Sequence, residues 1–218
     1  MIEKYFDKLK GEIPDDLFKN GQGFIYLSDD FSNEVEKDII FFEYKSLYAS
    51  IIIKLCENSI ITINKEDFEK LRDFLDGKIK ESSPDYKALK EFTYSAYAFY
   101  LTKDQQKYVL YYITLFYKDF IEKFKDSIAY IDVDLIFFKK EKEKDIINYL
   151  SKLNVKFETK IINYLFLSYQ KRYVYVNDNN DFYYKGFSKS NKSIETKEVI
   201  KNRILSEIRE DKINSILR

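Results

Sequence analysis

The spacing of apolar and polar positions divides the chain into short extended segments and longer helical ones. GFIYLS (23–28) and DIIFFE (38–43) are apolar runs of strand length. A polar turn with Asp29, Asp30, Ser32 and Asn33 lies between them, so both are predicted strands. Tyr48 to Glu57 is predicted helical, because a helix buried on all sides accommodates its isoleucines. Asn64 caps a predicted helix through EDFEKLRDFLDGKIK, with Leu71 and Leu75 on one face. Ser82, Ser83 and Pro84 interrupt the pattern, and Asp85 caps a further helix through YKALKEFTYSAYAFYL. A long helix over about 103–125 places Tyr108, Tyr112, Leu115, Phe116 and Phe120 on one apolar side.

IAYIDVDLIFF (128–138) predicts a strand or hairpin, and the charged run KKEKEKD after it opens a helix through Leu153. Residues 154–187 are β-rich: VKFETKIINYLFLSY, then KRYVYV, the turn NDNND, and FYYKGF. The tail, about 195–217, reads as an amphipathic helix with Val199, Ile200, Ile204, Leu205, Ile208 and Leu217 on its apolar side. Strands and helices in this order make an α+β unit.

Composition narrows the class. Hydrophobic residues at 45% and charged residues at 34% indicate a globular chain rather than a disordered one. No apolar run reaches the roughly 20 residues a bilayer span needs, so no membrane partner is expected. The opening MIEKYFDKLKGEIPDD lacks the apolar core of a signal peptide. Cys56, the single cysteine, excludes an internal disulfide, and together these features predict a cytoplasmic protein.

The chain has no histidine, which excludes Ser-His-Asp and Cys-His catalysis and His-based zinc sites. Neither glycine-rich phosphate loop is present. Chemistry is left to carboxylates, Lys, Arg, Tyr and hydroxyls, with carboxylate-held Mg²⁺ or Mn²⁺ the obvious route. From Ser151 onward 14 Lys and Arg face 8 Asp and Glu, a net +6, which leaves −6 on the preceding residues. That asymmetry suits a protein gripping an anion at one end and holding cations at the other, and solvated faces account for it equally well.

Asp132 and Asp134 are two residues apart, so in extended chain they project to the same side, about 7 Å apart at Cα. Like charges that close, set amid Ile, Val, Leu and Phe, raise each other's pKa unless a cation compensates. Paired divalent ions about 3.5–4 Å apart provide such compensation and serve in-line phosphoryl displacement. The bland alternative is an edge strand showing Tyr130, Asp132 and Asp134 to water. Glu43 also ends an apolar strand and would complete a three-carboxylate cluster. Lys90 precedes Tyr94 and Tyr97 by four and seven residues, on one helical face where a phosphate and a stacked base can be met.

Four segments taken together resemble the family B DNA polymerases. EYKSLYASI (43–51) is similar to that family's DxxSLYPSI, and YKALKEFTYSAYA (86–98) to its QxAxKxxxNSxYG. YIDVDL (130–135) resembles YGDTDS, and QKRYVYV with YYKGF (170–187) resembles KKxY, a strand and KG. The order of all four segments across the chain is more specific than any one of them.

The resemblance implies a polymerase palm, an antiparallel sheet with packed helices, over 1–57 and 91–190. It implies short helical fingers at 58–90 and a vestigial, thumb-like or partner-binding C-terminal helix at 191–218. Glu43, Asp132 and Asp134 would hold the two catalytic metals, Mg²⁺ or Mn²⁺. The backbone of Ser46 and Leu47 would hold the nucleotide triphosphate, and Tyr48 would act as a steric gate against the ribose 2′-hydroxyl. Lys90 would neutralise the leaving pyrophosphate, with Tyr94 beside the nucleotide. Lys171, Arg172, Tyr173 and Lys185 would contact DNA. The implied partners are a primer–template, dNTPs, and a partner protein or second copy supplying missing thumb or exonuclease functions. The implied setting is replication in a bacterial cell, phage or mobile element.

Departures from the family pattern are concentrated around the metal ligands. Glu43 replaces an aspartate, Ala49 a proline, Tyr94 an asparagine, and Gln170 a lysine. Ile131, Val133 and Leu135 replace Gly, Thr and Ser, and losses around metal ligands commonly cost about 10–100-fold. Three expectations follow: a minimal DNA polymerase without proofreading, a catalytically degenerate polymerase-like subunit that binds nucleic acid or organises a replication complex, and an unrelated α+β interaction protein.

Overall fold

Most of the extended segments become strands of a single seven-stranded sheet. The computed structural model describes residues 3–9, 25–31, 33–78, 101–169, 172–187 and 191–216. The strands are β1 (Ile25–Leu27), β2 (Val35–Tyr44), β3 (Ile128–Asp132), β4 (Leu135–Lys139), β5 (Phe157–Tyr169), β6 (Arg172–Asn177) and β7 (Phe182–Lys185). The helices are α1 (Glu3–Leu9), α2 (Leu47–Glu57), α3 (Lys65–Lys78), α4 (Lys103–Phe124), α5 (Glu143–Leu150) and α6 (Asn191–Ile216). The chain divides into a sheet unit (Ile25–Glu43, Phe124–Asn148, Phe157–Arg218) and a helical unit (Met1–Phe24, Tyr44–Lys123, Tyr149–Lys156). The helix expected from Asp85 lies outside the described residues, as do Leu217 and the side chains of Leu71 and Leu75.

In the sheet unit the strand order is β1-β3-β4-β2-β5-β6-β7, and the pairings β1–β3, β3–β4, β4–β2, β5–β6 and β6–β7 are antiparallel. Alternate residues project to opposite faces, and the apolar set on one face forms a single cluster: Ile39, Phe41, Tyr130, Leu135, Phe137, Leu165, Leu167 and Tyr173. Strands from both ends of the order meet in it, with Phe137 and Tyr173 edge-to-face at 5.0 Å and Phe41 and Tyr175 at 6.0 Å. The sheet therefore curls so that this face fills itself.

The opposite face at β5–β6 is covered by α6, whose Ile200 and Ile204 pack on Phe166, Val174 and Val176. This is the tail helix expected from the sequence, begun four residues earlier and anchored to the sheet. Val199, expected on its apolar side, is instead exposed. Lys37 of β2 holds α6 through Glu207 (2.9 Å) and Asp211 (2.8 Å), and the Tyr164 hydroxyl donates to Asp211 at 2.7 Å.

In the helical unit α2 is nearly all buried, through Leu47, Ala49, Ile51, Ile52, Ile53 and Leu55. The Asn64 side chain accepts from the Asp67 amide (3.2 Å) and caps α3 as the sequence predicts. Thr102 and Gln105 form a capping box at the start of α4, each side chain accepting from the other's amide. Tyr112, Leu115, Phe116 and Phe120 of α4 are buried, and Tyr108 is half-buried. The Tyr44 hydroxyl donates to the Leu150 carbonyl at 2.7 Å, and the half-buried Lys54 ammonium donates to the Leu153 carbonyl at 2.9 Å. Among the described residues no helix is long and apolar enough to cross a membrane.

Candidate functional site

The two carboxylates at strand ends meet through register. Across the β3–β4 hairpin Asp132 pairs with Leu135, and Leu135 pairs with Glu43 on β2. Directly opposed residues of antiparallel strands share a face, so Glu43, Leu135 and Asp132 form one row. Two strand spacings separate the acids, about 10 Å between Cα atoms. On its other side Asp132 pairs with Ile25 of β1, so β3 is flanked by strands and is not an edge. The reading of this segment as a water-facing edge strand is thereby overturned: Tyr130 is fully buried and Asp132 is 9% exposed.

Asp132 makes no hydrogen bond or ion pair with the described residues. A carboxylate with so little exposure and no cation among the described residues suits a bound cation. Tyr173 reports on both acids at once. Burial pushes its hydroxyl far above the ordinary tyrosine range, with Tyr130, Asp132, Tyr175 and Glu43 adding to the rise. It is 4% exposed and packs among Tyr130 and Phe137.

Asp134 is not on the extended strand that the two-residue spacing suggested. β3 ends at Asp132, and Val133 and Asp134 form the two-residue turn into β4. Val133 sits there at φ 56°, a left-handed conformation that its branched Cβ opposes. Asp134 is half-buried in that turn, and among the described residues no three acidic or cysteine side chains are gathered closely enough to hold an ion.

Three residues after Glu43 the chain turns into α2. Ser46 is left-handed (φ 54°, ψ 41°) and makes no side-chain cap hydrogen bond, so α2 begins with the positive end of its backbone dipole uncapped by that hydroxyl. Leu47 is buried and Tyr48 half-buried. On β6, the Arg172 guanidinium lies 5.5 Å from the Phe187 ring, and the Lys185 ammonium of β7 lies 5.8 Å from the Tyr173 ring. Lys90, Tyr94 and Lys171 lie outside the described residues. Tyr130 and Tyr173 are the neighbours of the acidic row that sequence reasoning did not single out as such. The alternation that puts Tyr130 beside Asp132 was the signal available for one of them.

The backbone that carries this row is similar to a solved one. The structure of the family B DNA polymerase from the hyperthermophilic archaeon Pyrobaculum calidifontis matches with a TM-score of 0.54 and 15% identity, over 96% of this chain and 37% of that one. The likeness is one of fold. This chain thus spans little more than a third of the polymerase it matches. No family model matches the sequence, and no curated protein matches it.

Proposed function

We propose that this chain is the core of a minimal DNA polymerase, adding dNTPs to a primer 3′ end without proofreading. The observation that carries the reading is the Glu43–Leu135–Asp132 row, with Asp132 buried and without a cation among the described residues, on a fold similar to that of a family B polymerase. Glu43 and Asp132 offer only oxygen donors. Mg²⁺ is commonly held by one or two carboxylates with substrate phosphates and water supplying the rest, so this pair fits Mg²⁺ or Mn²⁺. Asp134, one residue beyond the hairpin's left-handed position, would assist from the turn. Bound ions would lower the charge on the attacking oxygen, the transferring phosphoryl group and the leaving pyrophosphate.

The chain's own groups do the rest. The first-turn amides of α2 at Ser46 and Leu47 suit a triphosphate, by the same dipole logic that places phosphates at helix N-termini. Tyr48 in that turn would exclude a 2′-hydroxyl. Lys90 and Tyr94 keep the roles the resemblance implies, and Lys171, Arg172 and Lys185 would line the path of the primer–template. Tyr173, expected to contact DNA, is buried among Tyr130 and Phe137 and would support that surface from beneath. A partner protein or second copy would supply grip, since phosphate contacts dominate nucleic-acid affinity and the chain's net charge is zero.

The test is primer extension on a primed template with dNTPs and Mg²⁺ or Mn²⁺. Extension by the wild type and its loss in Asp132→Ala are expected. A second reading, a catalytically degenerate subunit that binds nucleic acid, is favoured by one observation: the three acids do not gather into a single group among the described residues. DNA binding without extension under either metal would decide for it.

A further inference from the structure

The sheet order ends at β7, and around this edge rings and cations alternate. On the face that α6 covers, Phe182 and Tyr184 are stacked with centroids 6.3 Å apart, and Phe187 meets Tyr184 edge-on at 6.2 Å. Each ring carries a cation. Lys201 lies 6.0 Å from Phe182, Lys197 lies 5.6 Å from Tyr184 and 5.8 Å from Phe187, and Arg172 lies 5.5 Å from Phe187. Tyr184 is 37% exposed, and the other five side chains are half-buried. Glu198 adds to the rise that burial imposes on the Tyr184 hydroxyl.

The packing between α6 and the sheet is already made by Ile200, Ile204, Val174 and Val176. Phe182 and Phe187 also pack against that cluster, whereas Tyr184 and the three cations are additional to what holds the helix down. Three positive groups around three rings suit a polyanion that also presents flat apolar faces. Single-stranded nucleic acid has both, whereas a duplex hides its bases. We infer that the β7–α6 rim, built from Arg172, Phe182, Tyr184, Phe187, Lys197 and Lys201, is a binding platform for single-stranded nucleic acid. A base stacks on Tyr184 while Lys197 and Lys201 swing from the rings to phosphates, an exchange made easy because cation–ring contacts at partly exposed sites are weak. The platform shares Arg172 with the proposed primer–template path but stands apart from the acidic row and does not depend on that row being catalytic.

Because the chain has no tryptophan, a Tyr184→Trp variant reads the platform by its own fluorescence. Oligo(dT), oligo(dU) and oligo(U) are expected to quench it, and the stronger of oligo(dU) and oligo(U) identifies the sugar preferred. A blunt duplex of the same length is expected to leave it unchanged. By fluorescence anisotropy on the full chain, Tyr184→Ala should bind oligo(dT) about tenfold more weakly, while Tyr184→Phe stays close to wild type. Lys197→Gln should weaken binding as well. With three phosphate contacts the log–log salt slope should be about −2, at about −0.7 per contact. Three results would overturn the inference: binding without quenching, equal quenching by the duplex, or a signal that follows protein concentration alone with dimers in sedimentation, which would assign the edge to self-association.

Discussion

Glu43 and Asp132 flank the same residue, Leu135, from opposite sides, and this brings two acids far apart in sequence onto one row of one sheet face. Only Asp132 is counted among the buried residues, and it has no cation among the described residues. In chelator-treated protein, Asp132→Asn should therefore melt higher than wild type. Relief of about 1 kcal/mol corresponds to about 2–4 °C in a chain of this size. Mg²⁺ or Mn²⁺ should raise the wild-type midpoint, by about 1.4 kcal/mol at ten times Kd, and leave Asp132→Asn nearly unmoved. A lower midpoint for Asp132→Asn in chelator would show that the carboxylate is already compensated. Differential scanning calorimetry with and without metal decides it.

Val133 holds a left-handed backbone at φ 56° between the two aspartates. Glycine takes that conformation without a Cβ clash, and its greater freedom in the unfolded chain offsets only part of the gain. Val133→Gly should be stabilising by about 1 kcal/mol, seen as a higher denaturant midpoint with an unchanged slope. The positive φ angles at Asn33, Asn154 and Asn180 offer no such gain, since asparagine tolerates that region.

Two buried tyrosines should respond oppositely to loss of the hydroxyl. Tyr44 donates to the Leu150 carbonyl at 2.7 Å, so Tyr44→Phe strands a buried acceptor and should cost about 1–3 kcal/mol. The Tyr112 hydroxyl, fully buried, has no partner among the described residues. Tyr112→Phe should be neutral or stabilising by about 1 kcal/mol. Equilibrium denaturation of the two variants side by side is the check.

The attachment of α6 by Lys37 has a pH window. The Lys37 ammonium, with Tyr164 second, holds Asp211 below its ordinary 3.8, so that carboxylate's contribution is complete above 3.8 and fades as pH falls through the lowered value. Lys37 is raised above its ordinary 10.5, chiefly by Asp211, and Tyr164 is pushed up to about 12, chiefly by burial. Their contributions are complete below the ordinary values and fade as pH rises through the raised ones. The stability difference between wild type and Lys37→Met should therefore be flat from about pH 5 to pH 9 and shrink on either side. Exposed pairs of this kind contribute about 0.2–1 kcal/mol each, so paired denaturant titrations at three pH values are needed to see it.

Local pattern made most elements legible in the sequence. The apolar stripe of Tyr112, Leu115, Phe116 and Phe120 marked α4, and Asn64 marked the start of α3, because both signals lie within a few residues of what they organise. Helix α1 went unread, since seven residues with Tyr5, Phe6 and Leu9 carry too short a period to register. The hairpin of β3 and β4 was legible as one of two options, but the place of its turn was not. Nothing in DVD announces that a valine will occupy a left-handed position, so Asp134 was read as continuing the strand when it turns the corner. The row joining Glu43 to Asp132 depends on pairing between distant strands, which no local window contains. The burial of Tyr173 was hidden for the same reason: it follows from the curling of the sheet, not from the run KRYVYV.

The two-residue link between Asp132 and Leu135 also sets a rule for engineering this chain. A library at this corner should favour residues that accept a left-handed backbone at 133, keep the acid at 134 and hold the length at two. An inserted residue that slipped the ladder by a single step, instead of being taken up as a three-residue turn, would send Asp132 through to the reverse of the sheet, away from Glu43. Length polymorphism at this corner, in any set of related chains, therefore marks the first place to look for lost acidic pairing.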